Sequence, residues 1–503
     1  MTVDVDGVGL TATDVVAVAR NGEAAQFTPK AISQMAASRA VVERLAEGKP
    51  KYGISTGFGA LATVAIPVER RHALQQALIR SHAAGMGPPV EDEVTRAMML
   101  LRARTLAMGY SGTRPVVGQA LLDLLNAGIT PVVPEYGSLG ASGDLAPLAH
   151  AALALLGEGE VIHQQRRRPA LDALTEAGLN PLQLVEKEGL ALINGTDGIL
   201  GMLCLALLDS TRLTANADLV AAMTVDGLLA TDRPFSSDLQ ALRPQPGQAV
   251  SAANLRQLLA GSAIMASHTD GDPRVQDAYS IRCTPAVHGA ARDTLSHVAT
   301  VVDHELAAAI DNPMVLPDGR VESCGNFHGA PLGFAADFLA IALAEVGAIA
   351  ERRIDRLLDP NRNHGLPPFL AHEVGVDSGL MIGHYTVASM VGENRRLAAP
   401  ASVDSYPTSA LQEDHVSMAW GAARKLRRII DNLFRIQAVE LVTAARAIDL
   451  RSPLEPSPAI AAVLGVLRER VEGPGPDRFL APDLAAAEKL LRTDGLERWP
   501  QLD

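Results

Sequence analysis

Aromatic side chains are scarce in this chain: Phe, Tyr and Trp make up 3% of its 503 residues, so ring stacking cannot build the core. With 48% hydrophobic residues overall, the interior must be filled by Ala, Leu, Val and Ile, a mixture that favours helices packed closely through small side chains. Cysteine is scarcer still. Cys204, Cys283 and Cys324 cannot form a disulfide framework. Basic charge is also in deficit, with 44 Lys and Arg against 57 Asp and Glu and a net charge of −13. That balance argues against wrapping nucleic acid or lying on an anionic membrane. The one basic run, Gln165-Arg166-Arg167-Arg168, is short and reads as a solvated loop. The opening MTVDVDGVGL lacks the basic and apolar regions of a signal peptide. The most apolar long stretch, near 334–350, is broken by Asp337 and Glu345 and so does not read as a membrane span. The expectation is a cytoplasmic protein with neither nucleic acid nor membrane as a partner.

Helical signals dominate what is present. Residues 67–84 read as a helix, with Pro67 suited to its first position, Gly85 to its stop, and Leu74, Leu78 and His82 on one face. Before it, Lys51–Ala62 carries three glycines and reads as a loop. Further helices are predicted at 147–156, 199–229, 286–309 and 332–358, where Arg352, Arg353 and Arg356 would suit the negative helix end. The longest pattern runs from 411 to 450, with capping-box spacing at Ser409 and Gln412, and would span roughly 60 Å. Strand signals are few. The predicted fold is mainly α: a smaller N-terminal domain over 1–110, carrying the Tyr52 loop and His82, and an elongated helical bundle over 111–503. Helices this long are naturally buried by sharing a bundle between subunits.

One stretch carries unusual chemistry. GSLGASGDLAPLAH, from Gly137 to His150, sets Ser142 among small residues just before a helix. Its glycines match neither a dinucleotide fingerprint nor a phosphate loop, and GASGD falls one residue short of a nucleophile elbow. No HExxH or CxxC occurs, so no metal site is expected. A turn capping a helix would account for the spacing. The same residues also permit a rarer outcome. If the Gly143 nitrogen closes onto the Ala141 carbonyl and Ser142 loses water, a five-membered ring with an exocyclic methylidene results. A helix N-terminus beside it favours developing negative charge.

Companions to this stretch recur along the chain in order: YGISTGFG (52–59), SHAAG (81–85), EGLALINGT (188–196), VQDAYSIRC (275–283), DNPMV (311–315), GNFHGAP (325–331), ERRIDRLLD (351–359), SGLMIGHYT (378–386), QEDHVSM (412–418) and DRFLAPD (477–483). Together they resemble the aromatic amino acid ammonia-lyase family over nearly the whole chain, and within it the histidine-specific, actinobacterial form. The resemblance implies an ammonia-lyase/fumarase-like helical architecture and a homotetramer whose active sites are shared between subunits. It also implies a 4-methylidene-imidazol-5-one (MIO) electrophile formed from Ala141, Ser142 and Gly143, with no external cofactor. The reaction implied is L-histidine to trans-urocanate and ammonia, the first step of histidine catabolism.

The resemblance also implies roles. Tyr52 is the base for the β-proton. Tyr279 and Asn194 line the amine and MIO region, and Arg282 grips the substrate carboxylate, as a guanidinium fork can. Phe327 is a wall of the pocket, and Gln276 is a further candidate contact. His82 and Glu413 meet the substrate's imidazole. From the residues alone, His82 reads as a satisfied core histidine and Glu413 as a first-turn glutamate serving a helix dipole. Leu411, Ser323-Cys324 and Gly383-His384 depart from the family pattern, and none is a residue given a role above. Two other readings stand beside this one. A tyrosine or phenylalanine ammonia-lyase or aminomutase would use the same electrophile without the His82/Glu413 pair. A catalytically silent homo-oligomer would not need the full set of residues.

Overall fold

The computed structural model describes residues 2–46, 66–272, 274–494 and 502. Tyr52 and the glycine-rich loop around it lie outside the described residues. The first helices are α1 (Ala12–Ala19), α2 (Pro29–Ala46), α3 (Arg71–His82), α4 (Asp92–Ala107), α5 (Pro115–Asn126), α6 (Leu145–Leu155), α7 (Ala170–Glu176), α8 (Glu188–Ile193) and α9 (Asp197–Gly227). After them come α10 (Ser237–Ala241), α11 (Pro246–Leu259), α12 (Ala263–Ala266), α13 (Tyr279–Arg282), α14 (Thr284–Leu306), α15 (Ala330–Leu358), α16 (Met381–Leu397), α17 (Ala419–Asp449), α18 (Pro458–Arg468) and α19 (Ala481–Lys489). Strands are short, and the mainly α expectation holds. The parallel pair β1 (Thr2–Val5) and β2 (Ala24–Phe27) and the antiparallel pair β3 (Met86–Pro89) and β5 (Pro134–Tyr136) are two of the small sheets. Another joins β4 (Thr130–Pro131), β6 (Glu160–His163) and β7 (Arg166–Pro169), and β8 (Met314–Val315) pairs with β9 (Val321–Glu322).

Three local readings need correction. The basic run is not a loop: Arg166–Pro169 is strand β7, hydrogen-bonded to β6, with Arg167 paired to Glu160 and Arg168 to Glu176. The long C-terminal helix starts at Ala419 rather than Leu411 and has 31 residues, about 46 Å at 1.5 Å per residue. Positive φ at Ala410, Leu411 and Met418 interrupts any earlier start, so Ser409 and Gln412 form no capping box and Glu413 is not in a helix. Arg353 does not serve a helix end. It is fully buried and pairs in two places with the fully buried Glu440, which also accepts a hydrogen bond from Thr224.

The chain divides into two compact units. The first comprises Met1–Leu208, Ala299–Asp337 and Pro400–Arg424, and the second comprises Asp209–Val298, Phe338–Ala399 and Lys425–Asp503. The expected boundary at residue 110 falls inside the first unit. Small residues set the packing there: a Cβ on Gly201 of α9 would stand 2.8 Å from the Ala97 Cβ of α4, so only glycine allows that approach. The second unit carries buried polar links within its apolar interior. Asp218 accepts hydrogen bonds from Ser251, Asn254 and Arg292 and pairs with His288 at 2.8 Å.

Candidate functional site

The turn at Ala141-Ser142-Gly143 is held by the backbone around it. Strand β5 ends at Tyr136, shortly before the turn, and α6 begins at Leu145, directly after it. The Gly140 carbonyl accepts from the Ser417 hydroxyl at 2.7 Å and from Gly329 N at 3.0 Å. Met418 N donates to the Leu139 carbonyl at 2.8 Å. The segments leading into α15 and α17 thus fasten the loop from one side.

Gly143 shows what the turn demands. Its φ is +71°, and a Cβ there would lie 2.1 Å from the Gly195 carbonyl oxygen. Neither the conformation nor the space admits a side chain. The next amide, Asp144 N, donates to the same carbonyl at 2.7 Å. The chain is therefore bent and pressed against α8's exit at the one residue whose nitrogen would close a ring. By this test the residues present fit the MIO group.

Sequence reasoning passed over Asp144, which anchors the turn. It is completely buried and gives no cap to its own helix. Oδ2 accepts from Gly198 N at 2.8 Å and Ile199 N at 3.0 Å, in the first turn of α9, and Oδ1 accepts from the Ser138 hydroxyl at 2.9 Å. Burial pushes its carboxyl up to about 7, against the opposing pull of those donors. The folded value lies above the unfolded one, near 3.9. This stability contribution is therefore complete below about 4 and is lost as pH rises towards about 7. Asp144→Asn keeps an oxygen for the α9 amides and removes the titration. Its melting temperature should fall less between pH 5 and 8 than that of the parent, and equal falls would show that Asp144 does not set the slope.

Ser142, Asn312, Cys324, Phe327, His328 and Glu413 are among the residues lining one cavity of about 580 Å³ in the first unit. Glu413 is half-buried in a non-helical segment tied by a bridge between Thr408 and Glu413, and its Oε2 accepts from the Thr408 hydroxyl at 3.0 Å. His82, half-buried in the last turn of α3, donates from Nδ1 to the Leu78 carbonyl at 2.9 Å. A carbonyl only accepts, so this bond leaves Nε2 as the accepting ring atom. Burial pulls His82 below its ordinary pKa, while the Leu78 carbonyl and the nearby charge of Glu413 oppose that pull. The structure therefore brings His82, Glu413, Ser142 and Phe327 into one neighbourhood.

Asn194 sits at the C-terminal cap of α8, where Nδ2 donates to the Asn312 carbonyl at 2.8 Å. Tyr279, Gln276 and Arg282 belong to the second unit. There the Arg282 guanidinium stacks 4.6 Å from the centre of the exposed Tyr279 ring, and its Nε donates to the Asp277 carbonyl at 3.0 Å.

The cavity holds residues that received no role from the sequence. His328 and His415 stack with ring centres 5.8 Å apart and planes 2° from parallel. Cys324, one of the departures from the family pattern, lines the cavity and donates from Sγ to the Asp311 carbonyl at 3.3 Å. All three fall within or beside GNFHGAP and QEDHVSM, so nearness to a motif was the available signal. Among the described residues no cluster of His, Cys, Asp or Glu could hold a metal ion.

A helical architecture with a tightly packed Ala-Ser-Gly turn opening onto a carboxylate- and histidine-lined cavity defines a class. The aromatic amino acid lyase profile matches residues 10–469, and the chain belongs to that family. It is a carbon–nitrogen lyase. It is 59% identical to the histidine ammonia-lyase of Streptomyces avermitilis over 498 residues, covering 98% of this chain and 97% of that one. The Streptomyces coelicolor histidine ammonia-lyase is equally similar, 59% identical over 498 residues. Among solved structures, histidine ammonia-lyase from Trypanosoma cruzi superposes with a TM-score of 0.92 at 39% identity, covering 100% of this chain and 96% of that one. Tyrosine aminomutase from Streptomyces globisporus superposes at 0.94 with 36% identity, covering both chains fully.

Proposed function

We propose that this protein removes ammonia from L-histidine to give trans-urocanate. The observation that carries the reading is the sharing of one cavity by Ser142 and Glu413, with His82 close enough to feel the glutamate's charge. The similarity to histidine ammonia-lyases supports the same substrate.

The reaction breaks the Cα–N and one Cβ–H bond and forms a Cα=Cβ double bond, with no oxidant or reductant. Its difficulty lies in a poor leaving group and a weakly acidic β-proton. Ala141, Ser142 and Gly143 would form the MIO group, whose chemistry at the cavity would be that of an electrophilic methylidene carbon. The chain's own residues do the rest. Glu413 accepts the imidazole N–H, a charge-assisted bond, and His82 offers Nε2 beside it. Arg282 holds the carboxylate; among the described residues neither of its Nη atoms is hydrogen-bonded, so both are available for a fork. Tyr52 takes the β-proton, Asn194 and Tyr279 face the amine, Phe327 walls the ring, and Gln276 adds a contact. The N-terminus of α6, just after the turn, favours negative charge developing there.

The working form is a homotetramer in the cytoplasm, acting first in histidine breakdown, with each site completed by residues of neighbouring subunits. The exposure of Tyr279, Phe338, Ile341, Ile382 and Tyr385 in the second unit supports such burial on assembly. Side-by-side assays with L-histidine, L-tyrosine and L-phenylalanine, read by ultraviolet absorbance of the conjugated product, test the substrate. Turnover should be confined to histidine. Faster turnover of tyrosine, or a β-amino acid product, would establish the lyase or aminomutase alternative instead.

A further inference from the structure

Two residues bracket the short helix α8. Lys187 precedes it in left-handed backbone, with φ +74°, and Asn194 caps its end. Lys187 is completely buried, and its ammonium donates to Asp311 Oδ2 at 2.8 Å. Removing both charges from water is costly, and apolar substitutes of the same volume commonly serve stability as well or better. The pair is better explained by what Asp311 does with its remaining oxygen. Oδ1 accepts from Asn312 N at 2.7 Å and faces Asn194 Nδ2 at 3.4 Å. The same Nδ2 donates to the Asn312 carbonyl at 2.8 Å.

One end of the Asn194 amide therefore faces a carboxylate and a carbonyl. Both only accept, so that end must be the NH₂. The reverse orientation would set oxygen against two oxygens. Asn194 Oδ1 is left buried and without a hydrogen-bond partner among the described residues. The residue lies next to the site: its chain neighbour Gly195 lies against Gly143, and Asn312, to whose carbonyl it donates, lines the cavity with Ser142.

We propose that Lys187 is a positioning residue: it holds Asp311 as an acceptor on both oxygens, which fixes the Asn194 amide with Oδ1 ready to accept an N–H of the substrate's amine. The inference rests on the function proposed above. Without the ammonium, Asp311 loses the partner that holds its carboxylate in place, and the amide of Asn194 would lose its single orientation.

The test uses the assembled protein carrying Lys187→Met, together with the charge-balanced Lys187→Met/Asp311→Asn in case the single change prevents folding. In the double variant the new amide can donate as well as accept, so the orientation of Asn194 is again unspecified. Both proteins should lose kcat for L-histidine on the order of 10- to 100-fold, the weight of a hydrogen bond to a charged donor. Their affinity for imidazolepropionate, which has the ring and carboxylate but no amine, should be unchanged. Wild-type kcat in either variant, an equal loss of imidazolepropionate affinity, or failure of both to fold would overturn the proposal. Ser142→Ala in parallel separates the two claims. If it stays active, the proposed reaction is wrong. If it is inactive while the Lys187 variants are fully active, only the positioning role is wrong.

Discussion

Ser142→Ala should fold, assemble and lose nearly all turnover of L-histidine, on the order of 10³-fold or more, as when an enzyme loses the group through which its chemistry passes. Ser142 is half-exposed at the cavity, and among the described residues no hydrogen bond of the loop depends on its hydroxyl; Ser138 and Ser417 carry those links. Alanine also suits the backbone of the turn. The substitution therefore separates chemistry from folding in a way that Gly143→Ala cannot, because a Cβ there collides with Gly195. Circular dichroism and a sizing column check the fold and assembly, and the absorbance assay checks the activity. A variant that turns over histidine at the parent rate would sink the electrophile account.

The second large effect is expected at Glu413. Glu413→Ala should reduce kcat/KM for L-histidine by on the order of 10²-fold, the upper range for a hydrogen bond to a charged group. Binding of a carboxylate ligand that lacks the imidazole should be nearly unaffected. Folding is not at stake, since the side chain is half-buried and, among the described residues, its hydrogen-bond partner is a single threonine hydroxyl. Glu413→Gln retains an accepting oxygen without the charge and should fall between parent and alanine. If histidine turnover and binding of the ring-less ligand weaken together, Glu413 supports the pocket wall and does not recognise the ring.

Much of this was legible from sequence because motifs concentrate chemistry. Small residues around Ser142 announced a turn before a helix, and the periodicity of α9, α14 and α15 gave their extents within a few residues. Other features needed three dimensions. Positive φ at Ser409, Ala410, Leu411 and Met418 has no periodic signature, so periodicity starts α17 too early and puts Glu413 in a helix. Asp144, two residues after the serine, drew no notice in the sequence, yet it caps α9, an element more than fifty residues onward. Lys187 and Asp311 are ordinary charged residues until the fold brings them together in the dark interior. Arg353 sits in a basic cluster that reads as serving a helix end, and only the helix's buried side explains its pairing with Glu440. In the last three cases the missing information was a long-range partner.

The central claim is that Ala141, Ser142 and Gly143 become the electrophile. Ring closure releases one water and the serine releases another. Peptide mass mapping of the active protein reads this directly: the peptide containing Ala141-Ser142-Gly143 should be lighter than its sequence by two water molecules, and the Ser142→Ala peptide should not show that loss. An active enzyme whose peptide has its full, unmodified mass would contradict the account.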